Sequence, residues 1–293
     1  MPLLWEIIGD VVLFVSLMIV PTICLHAQEP DAVRPHKSEY NLFNPTPVAA
    51  MRELSPDRPD KTESPHTVDA GHFQLEMDFA NFTYSDIDGI GMRSWNLAPF
   101  NFKVGLLNNV DLQFVFDNYL RVRVVEPIDG AAATQSGVGD FFARLKINLW
   151  GNDGGQTAFA LLPFIKFPTS TRGLGNNAIE GGLILPLALN LPGNFEMGLE
   201  TAIGFLQNDI DHRYHTGFVN SATFDHSIIG KLRGYLEYYS DVGTGPYARW
   251  IGTVDMGFTF LLTHNVQLDS GSNFGATGAA DAVNPFVGIT VRY

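Results

Sequence analysis

From Gly71 to the last residue, apolar and polar positions alternate with a period of two, the mark of strands whose two faces meet different surroundings. Four runs display it most plainly. Val110, Leu112, Phe114 and Phe116 oppose Asp111, Gln113 and Asp117. Phe141, Ala143, Leu145, Ile147 and Leu149 oppose Arg144, Lys146 and Asn148. Phe195, Met197, Leu199, Ile203 and Phe205 oppose Glu196 and Glu200, and Val287, Ile289, Val291 and Tyr293 oppose Gly288, Thr290 and Arg292. The pattern predicts twelve strands, near 71–84, 93–104, 110–125, 139–150, 156–168, 178–191, 195–207, 213–225, 231–241, 249–262, 266–272 and 284–293. A tilted strand needs ~9–11 residues to cross a bilayer, and only the eleventh, short and polar, falls below that.

The links carry their own signal. Short ones at 105–109, 151–155, 192–194, 226–230 and 264–265 contain Gly and Asn, which supply the positive φ angles of tight turns. Longer ones, near 85–92, 126–138, 169–177, 208–212, 242–248 and 273–283, alternate with them. A bacterial outer-membrane barrel is built this way, with tight turns in the periplasm and long loops outside. Hydrocarbon offers no water to free N–H and C=O groups, so such a sheet has to close. The expected fold is therefore all-β, a closed transmembrane antiparallel β-barrel of about 12 strands, with both ends in the periplasm. Pro99, Pro163, Pro186 and Pro285 fall inside predicted strands and each removes a ladder donor, so bulges or shifted boundaries are expected there.

Ahead of the strands the pattern is different. The apolar run 11–20 (VVLFVSLMIV), ended by Pro21 and followed by Leu25-His26-Ala27, reads as a signal peptide over 1–27. Glu6 and Asp10 stand where basic residues are usual, and a membrane anchor is the competing reading. Residues 28–70, aperiodic and Pro-rich, are expected to form a periplasmic lead or plug-like segment, with the barrel over 71–293.

Composition narrows the function. Only 17% of residues are charged, against about 25% in soluble domains. Cys24 is the sole cysteine and lies within the signal peptide, so the mature chain has no disulfide, thiolate metal site or cysteine nucleophile. The net charge of −13 argues against a nucleic-acid partner. No Gly-x-Ser-x-Gly elbow or defensible catalytic triad is present. The expected partners are outer-membrane lipid, a small-molecule solute and, through the apolar terminal strand ending at Tyr293, the barrel-assembly machinery.

Ser55–Phe79 marks the change from lead to barrel. Asp57-Arg58-Pro59-Asp60-Lys61-Thr62-Glu63-Ser64-Pro65, Thr67-Val68 and Gly71-His72-Phe73-Gln74-Leu75-Glu76 resemble the entry motif of a bacterial family of outer-membrane transporters described as the "MetA pathway of phenol degradation". The resemblance implies a barrel in the outer membrane of a Gram-negative-type bacterium, and passage of small solutes, aromatic or hydrophobic ones among them. It assigns no residue a role.

If the apolar faces meet lipid, the polar faces line a lumen, where bare charges must be hydrated or paired. The bases Arg121, Arg123, Arg144, Lys146 and Lys166 are expected to face the acids Glu180, Glu196 and Glu200 as a selectivity lining. A salt-bridge network that only braces the wall is the alternative. Asp57, Asp60 and Glu63 alternate with Arg58 and Lys61 and lack the spacing of a calcium loop, so no metal and no cofactor is expected. Arg58 and Lys61 are instead expected to pair with lumen acids and hold the segment as a plug. The function expected is a channel for passive or gated uptake of small solutes. An outer-membrane lipid or ester hydrolase and a closed structural or adhesive barrel are the alternatives.

Overall fold

A computed structural model describes residues 37–126, 130–208 and 210–293. The expected signal peptide and the first part of the lead lie outside them. The lead from Lys37 on carries two single-turn 3-10 helices, Lys37–Glu39 and Val48–Ala50, and is otherwise irregular.

Fifteen strand segments follow: β1 (Phe73–Ile87), β2 (Ile90–Leu97), β3 (Phe100–Leu107), β4 (Val110–Phe116), β5 (Tyr119–Val125), β6 (Ala132–Gly137), β7 (Phe141–Trp150), β8 (Thr157–Phe167), β9 (Glu180–Leu191), β10 (Phe195–Gln207), β11 (Tyr214–Ile229), β12 (Leu232–Gly243), β13 (Ile251–Thr263), β14 (Val266–Gly275) and β15 (Val283–Arg292). Every pairing is antiparallel, and β1 pairs with β15, so the sheet closes. Three crossings are split in two, β2/β3, β4/β5 and β6/β7, which leaves twelve crossings of the wall. All twelve lie where the alternation places them.

The details differ in three ways. The first long loop is a two-residue turn, Asp88-Gly89, with both φ angles positive, the geometry that suits the right-handed twist of a hairpin. The strands on either side therefore run past the expected boundaries to Ile87 and Ile90. The eleventh crossing, β14, reaches Gly275 and pairs fully with both neighbours. Pro99 sits at the β2/β3 break, as a missing donor would favour, but register runs unbroken through Pro163, Pro186 and Pro285.

The splits are neighbours. Asn118 Nδ2 donates to the Ala98 carbonyl across the first two, and the Gly139 amide donates to the Asp117 carbonyl across the second and third. Above the splits β1, β2, β5 and β6 form a four-stranded extension of the wall, and β6 pairs only with β5 among the described strands.

Burial is inverted relative to a water-soluble protein. Lys103, Lys146, Gln113, Glu76, Glu237, Asp111 and Asp255 are among the most completely buried side chains, while Val254, Met256, Phe258 and Phe260 of β13 are exposed. On that strand, Thr253, Asp255 and Thr259 point in and the apolar residues between them point out. An apolar belt around a polar interior is stable only with lipid against the belt.

Candidate functional site

The interior is not empty. Residues 55–68 of the lead cross the lumen and return, touching the wall on nearly every side. Their charges decide the path. Asp57 meets the basic side: it pairs with Lys146 of β7 at 2.5 Å and with Lys103 of β3, which also pairs with Glu76 of β1. Arg58 meets the acidic side, 2.5 Å from both Asp78 of β1 and Asp269 of β14. A methyl group at Gly288 of β15 would run into the Arg58 guanidinium, so the glycine there makes room for it. Lys61 lies 3.1 Å from Asp255 of β13 and 4.5 Å from the centre of the Tyr239 ring on β12.

The backbone is held as firmly. The Lys61 and Thr62 amides donate to the Glu237 carboxylate at 2.9 and 2.8 Å, and the Glu63 amide donates to Glu200 at 2.7 Å. Glu63 returns to the basic side and pairs with Arg144 of β7. The chain then leaves toward the tight-turn end: the Thr67 amide donates to Asn152, and the Val68 amide to Asp111 at 2.9 Å. Four of the segment's five charges thus meet the opposite sign on the wall, Asp57 and Glu63 against bases and Arg58 and Lys61 against acids, while Asp60 lies beside the Glu237 carboxylate. Among buried ion pairs such matching offsets desolvation and fixes one docked pose.

The segment's carboxyl groups differ in state. Burial alone would raise Asp57, but Lys103 and Lys146 outweigh it and hold the group below the ordinary carboxylate range. Asp60 goes the other way, raised by burial and by the Glu237 charge. Glu63 is pushed up to about 7 by burial and by its close approach to Asp57, which Arg144 does not offset. A carboxyl whose docked pKa lies above its free value favours docking fully below the free value and loses that contribution as pH rises through the docked one. From the free value of about 4.5 up to about 7 the segment is therefore expected to loosen. Open probability in planar bilayers should rise with pH, and Glu63→Gln should flatten the dependence; an unchanged slope in that variant would count against Glu63 as its source.

On the long-loop side of the segment the lumen opens into a cavity of about 380 Å³. Its floor includes Lys61, Glu63, Arg144 and Glu200, and its walls include Phe164, Ile184, Leu206 and Val219. A smaller recess of about 210 Å³ lies beside it, between Arg58 and Phe100.

The expected lining residues part company in the structure. Arg144, Lys146 and Glu200 converge on the segment. Lys166 and Glu180 pair with each other at 2.7 Å, at the long-loop ends of β8 and β9. Glu196 lies at the opposite end, paired with Arg233 at 2.8 Å and largely exposed. Arg121 and Arg123 do not face the lumen. The β4/β5 split at Asp117-Asn118 shifts the alternation by one, so that Leu120, Val122 and Val124 point inward and the two arginines outward. Lys103 and Asp269 belong to the site and were not singled out from the sequence. Lys103 was readable, since Phe102 and Val104 flank it in alternation; Asp269 lay in the least regular predicted strand.

Sequence comparison decides the family. The profile of the family described as "Putative MetA-pathway of phenol degradation" matches residues 56–293, which takes in most of the lumen-crossing segment and the whole barrel. The chain belongs to this family. No curated protein sequence matches it. Among solved structures, an outer membrane channel from Pseudomonas putida F1 is similar, with a TM-score of 0.57 and 14% identity over 82% of this chain and 100% of that one. The NanC porin gives 0.48 and 8%, over 74% and 98%. The translocator domain of the autotransporter NalP from Neisseria meningitidis gives 0.48 and 10%, over 76% and 88%. This family member is a closed antiparallel β-barrel of twelve crossings.

Proposed function

We propose that this protein is an outer-membrane channel for small solutes of mainly apolar or aromatic character, closed in its resting form by the 55–68 segment. The reading rests on one observation: in a lumen lined by charges, the space above the segment has walls of Phe164, Ile184, Leu206 and Val219. Its volume of about 380 Å³ suits a single small guest. A solute with an apolar body and one polar group would rest against those walls with its polar end toward Arg144, Glu200 or Lys61. Passage onward to the periplasm then requires the segment to loosen.

Swelling of liposomes loaded with the full-length protein tests this. Phenolic solutes are expected to enter faster than sugars or amino acids of similar size. Leu206→Asp with Ile184→Asp should reduce that preference several-fold. A competing reading, a permanently closed structural barrel, draws on the ion pairs that tie the segment to the wall. It predicts no flux of any solute, both in the native protein and after the segment's ion pairs are cut.

A further inference from the structure

The two arginines turned away from the lumen form part of a larger outward patch. Register places Arg93 of β2 directly opposite Arg123 of β5, and Trp95 directly opposite Arg121. Tyr84 and Phe82 of β1 continue the two rungs on one side, and Thr134 and Ser136 of β6 on the other. Each rung thus runs from an aromatic ring through arginine to a hydroxyl, all on the outer face.

Two like charges directly opposite on one face are unfavourable unless something lies between them. Arg93 sits over the Tyr84 ring at 5.9 Å, but none of the three arginines forms an ion pair among the described residues. Asp86, exposed farther along β1, forms no ion pair with them among the described residues. The patch also has a definite height. A tilted strand rises ~2.5 Å per residue along the barrel axis. Arg121 and Arg123 therefore stand ~28 and ~32 Å above Val110 at the tight-turn end, beyond the ~25 Å apolar band of such barrels. Trp95 and Tyr119, exposed on the same face, stand where an interfacial aromatic girdle belongs. The patch therefore meets the headgroups of the outer leaflet.

We propose that Arg93, Arg121 and Arg123, with Thr134 and Ser136, bind the phosphate groups of the phosphorylated glycolipid of the outer leaflet, lipid A. A phosphate between Arg93 and Arg123 would turn the repulsive pair into two charge-assisted forks, with the hydroxyls as further donors and the rings of Trp95 and Phe82 against the sugar and upper acyl chains. This site is independent of the lumen and of any transport through it.

The test is native mass spectrometry of the full-length protein in detergent, titrated with bisphosphorylated lipid A. The native protein is expected to retain it. The triple variant Arg93→Gln, Arg121→Gln, Arg123→Gln should bind at least about tenfold more weakly, with the folded barrel still recognisable by its heat-dependent gel mobility. Monophosphorylated lipid A should bind less well than the bisphosphorylated form, and phosphatidylethanolamine should not compete. Equal binding by the triple variant overturns the proposal. So does full displacement by inorganic phosphate at the same concentration, which would indicate a site for free anions. Should the triple variant fail to fold, Arg123→Gln alone is read in the same titration, and unchanged affinity there is equally decisive against it.

Discussion

Replacing Arg58 and Lys61 together with alanine is expected to raise single-channel conductance sharply in planar bilayers. The change removes the two cations that hold the lumen segment to the acidic wall and leaves Asp78, Asp269 and Asp255 without these cationic partners. Breaking one side of a buried pair costs about 3–5 kcal/mol. Only part of that needs to fall on the docked pose: at 1.4 kcal/mol per factor of ten, about 3 kcal/mol raises the undocked population more than a hundredfold. The barrel wall keeps its own hydrogen-bonded ladder, so the heat-dependent gel shift of a folded barrel should persist. Unchanged conductance in a properly folded variant would sink the idea that this segment is the closure. A lost gel shift would mean that the pairs brace the wall.

The second large effect is expected at Asp57. It receives Lys146, whose side chain has no exposure at all, and Lys103, whose side chain is 2% exposed. Asp57→Ala would leave the Lys146 ammonium buried without this partner, while Lys103 keeps Glu76. The expected cost of about 3–5 kcal/mol corresponds to roughly 6–20 °C in apparent melting temperature for a chain of this size, read from the gel shift against temperature. Adding Lys146→Met should recover much of the loss, because an apolar side chain of similar size tolerates the site that a lone ammonium does not. If Asp57→Ala melts with the native protein, or the second substitution makes matters worse, the pair does not organise the segment.

The fold was legible because its periodicity is local. A residue's face follows from its neighbours two positions away, and every crossing could be placed without knowing which strand it pairs with. What misled was equally local. The two-residue Asp88-Gly89 turn lay inside a stretch that looked like a loop, since the barrel wall rises further there than the bilayer demands. At Asp117-Asn118 a single slip in the alternation turned Arg121 and Arg123 outward, and no composition rule detects a slip of one residue. The lumen site was half legible. The motif's bases, Arg58 and Lys61, were expected to meet lumen acids, and Arg144, Lys146 and Glu200 were singled out from their strands. Which wall residue each would meet depended on the path of a segment without periodicity, so the link of Asp57 to Lys103, or of Arg58 to Asp269, could not be read from spacing.

The lone rim of β6 has a bearing on where the membrane stops. Over Ala132–Gly137 the strand has a sheet neighbour only in β5 among the described strands, so the main-chain groups on its other side have no ladder partner among them. Acyl chains cannot satisfy such groups, whereas water and sugar headgroups can. The outer boundary of the acyl region on that flank must therefore lie below Gly137, near the three broken strands. The barrel is taller there than the acyl layer against it, and the four-stranded crest stands beyond that layer as a fixed gauge of how deeply the molecule is set.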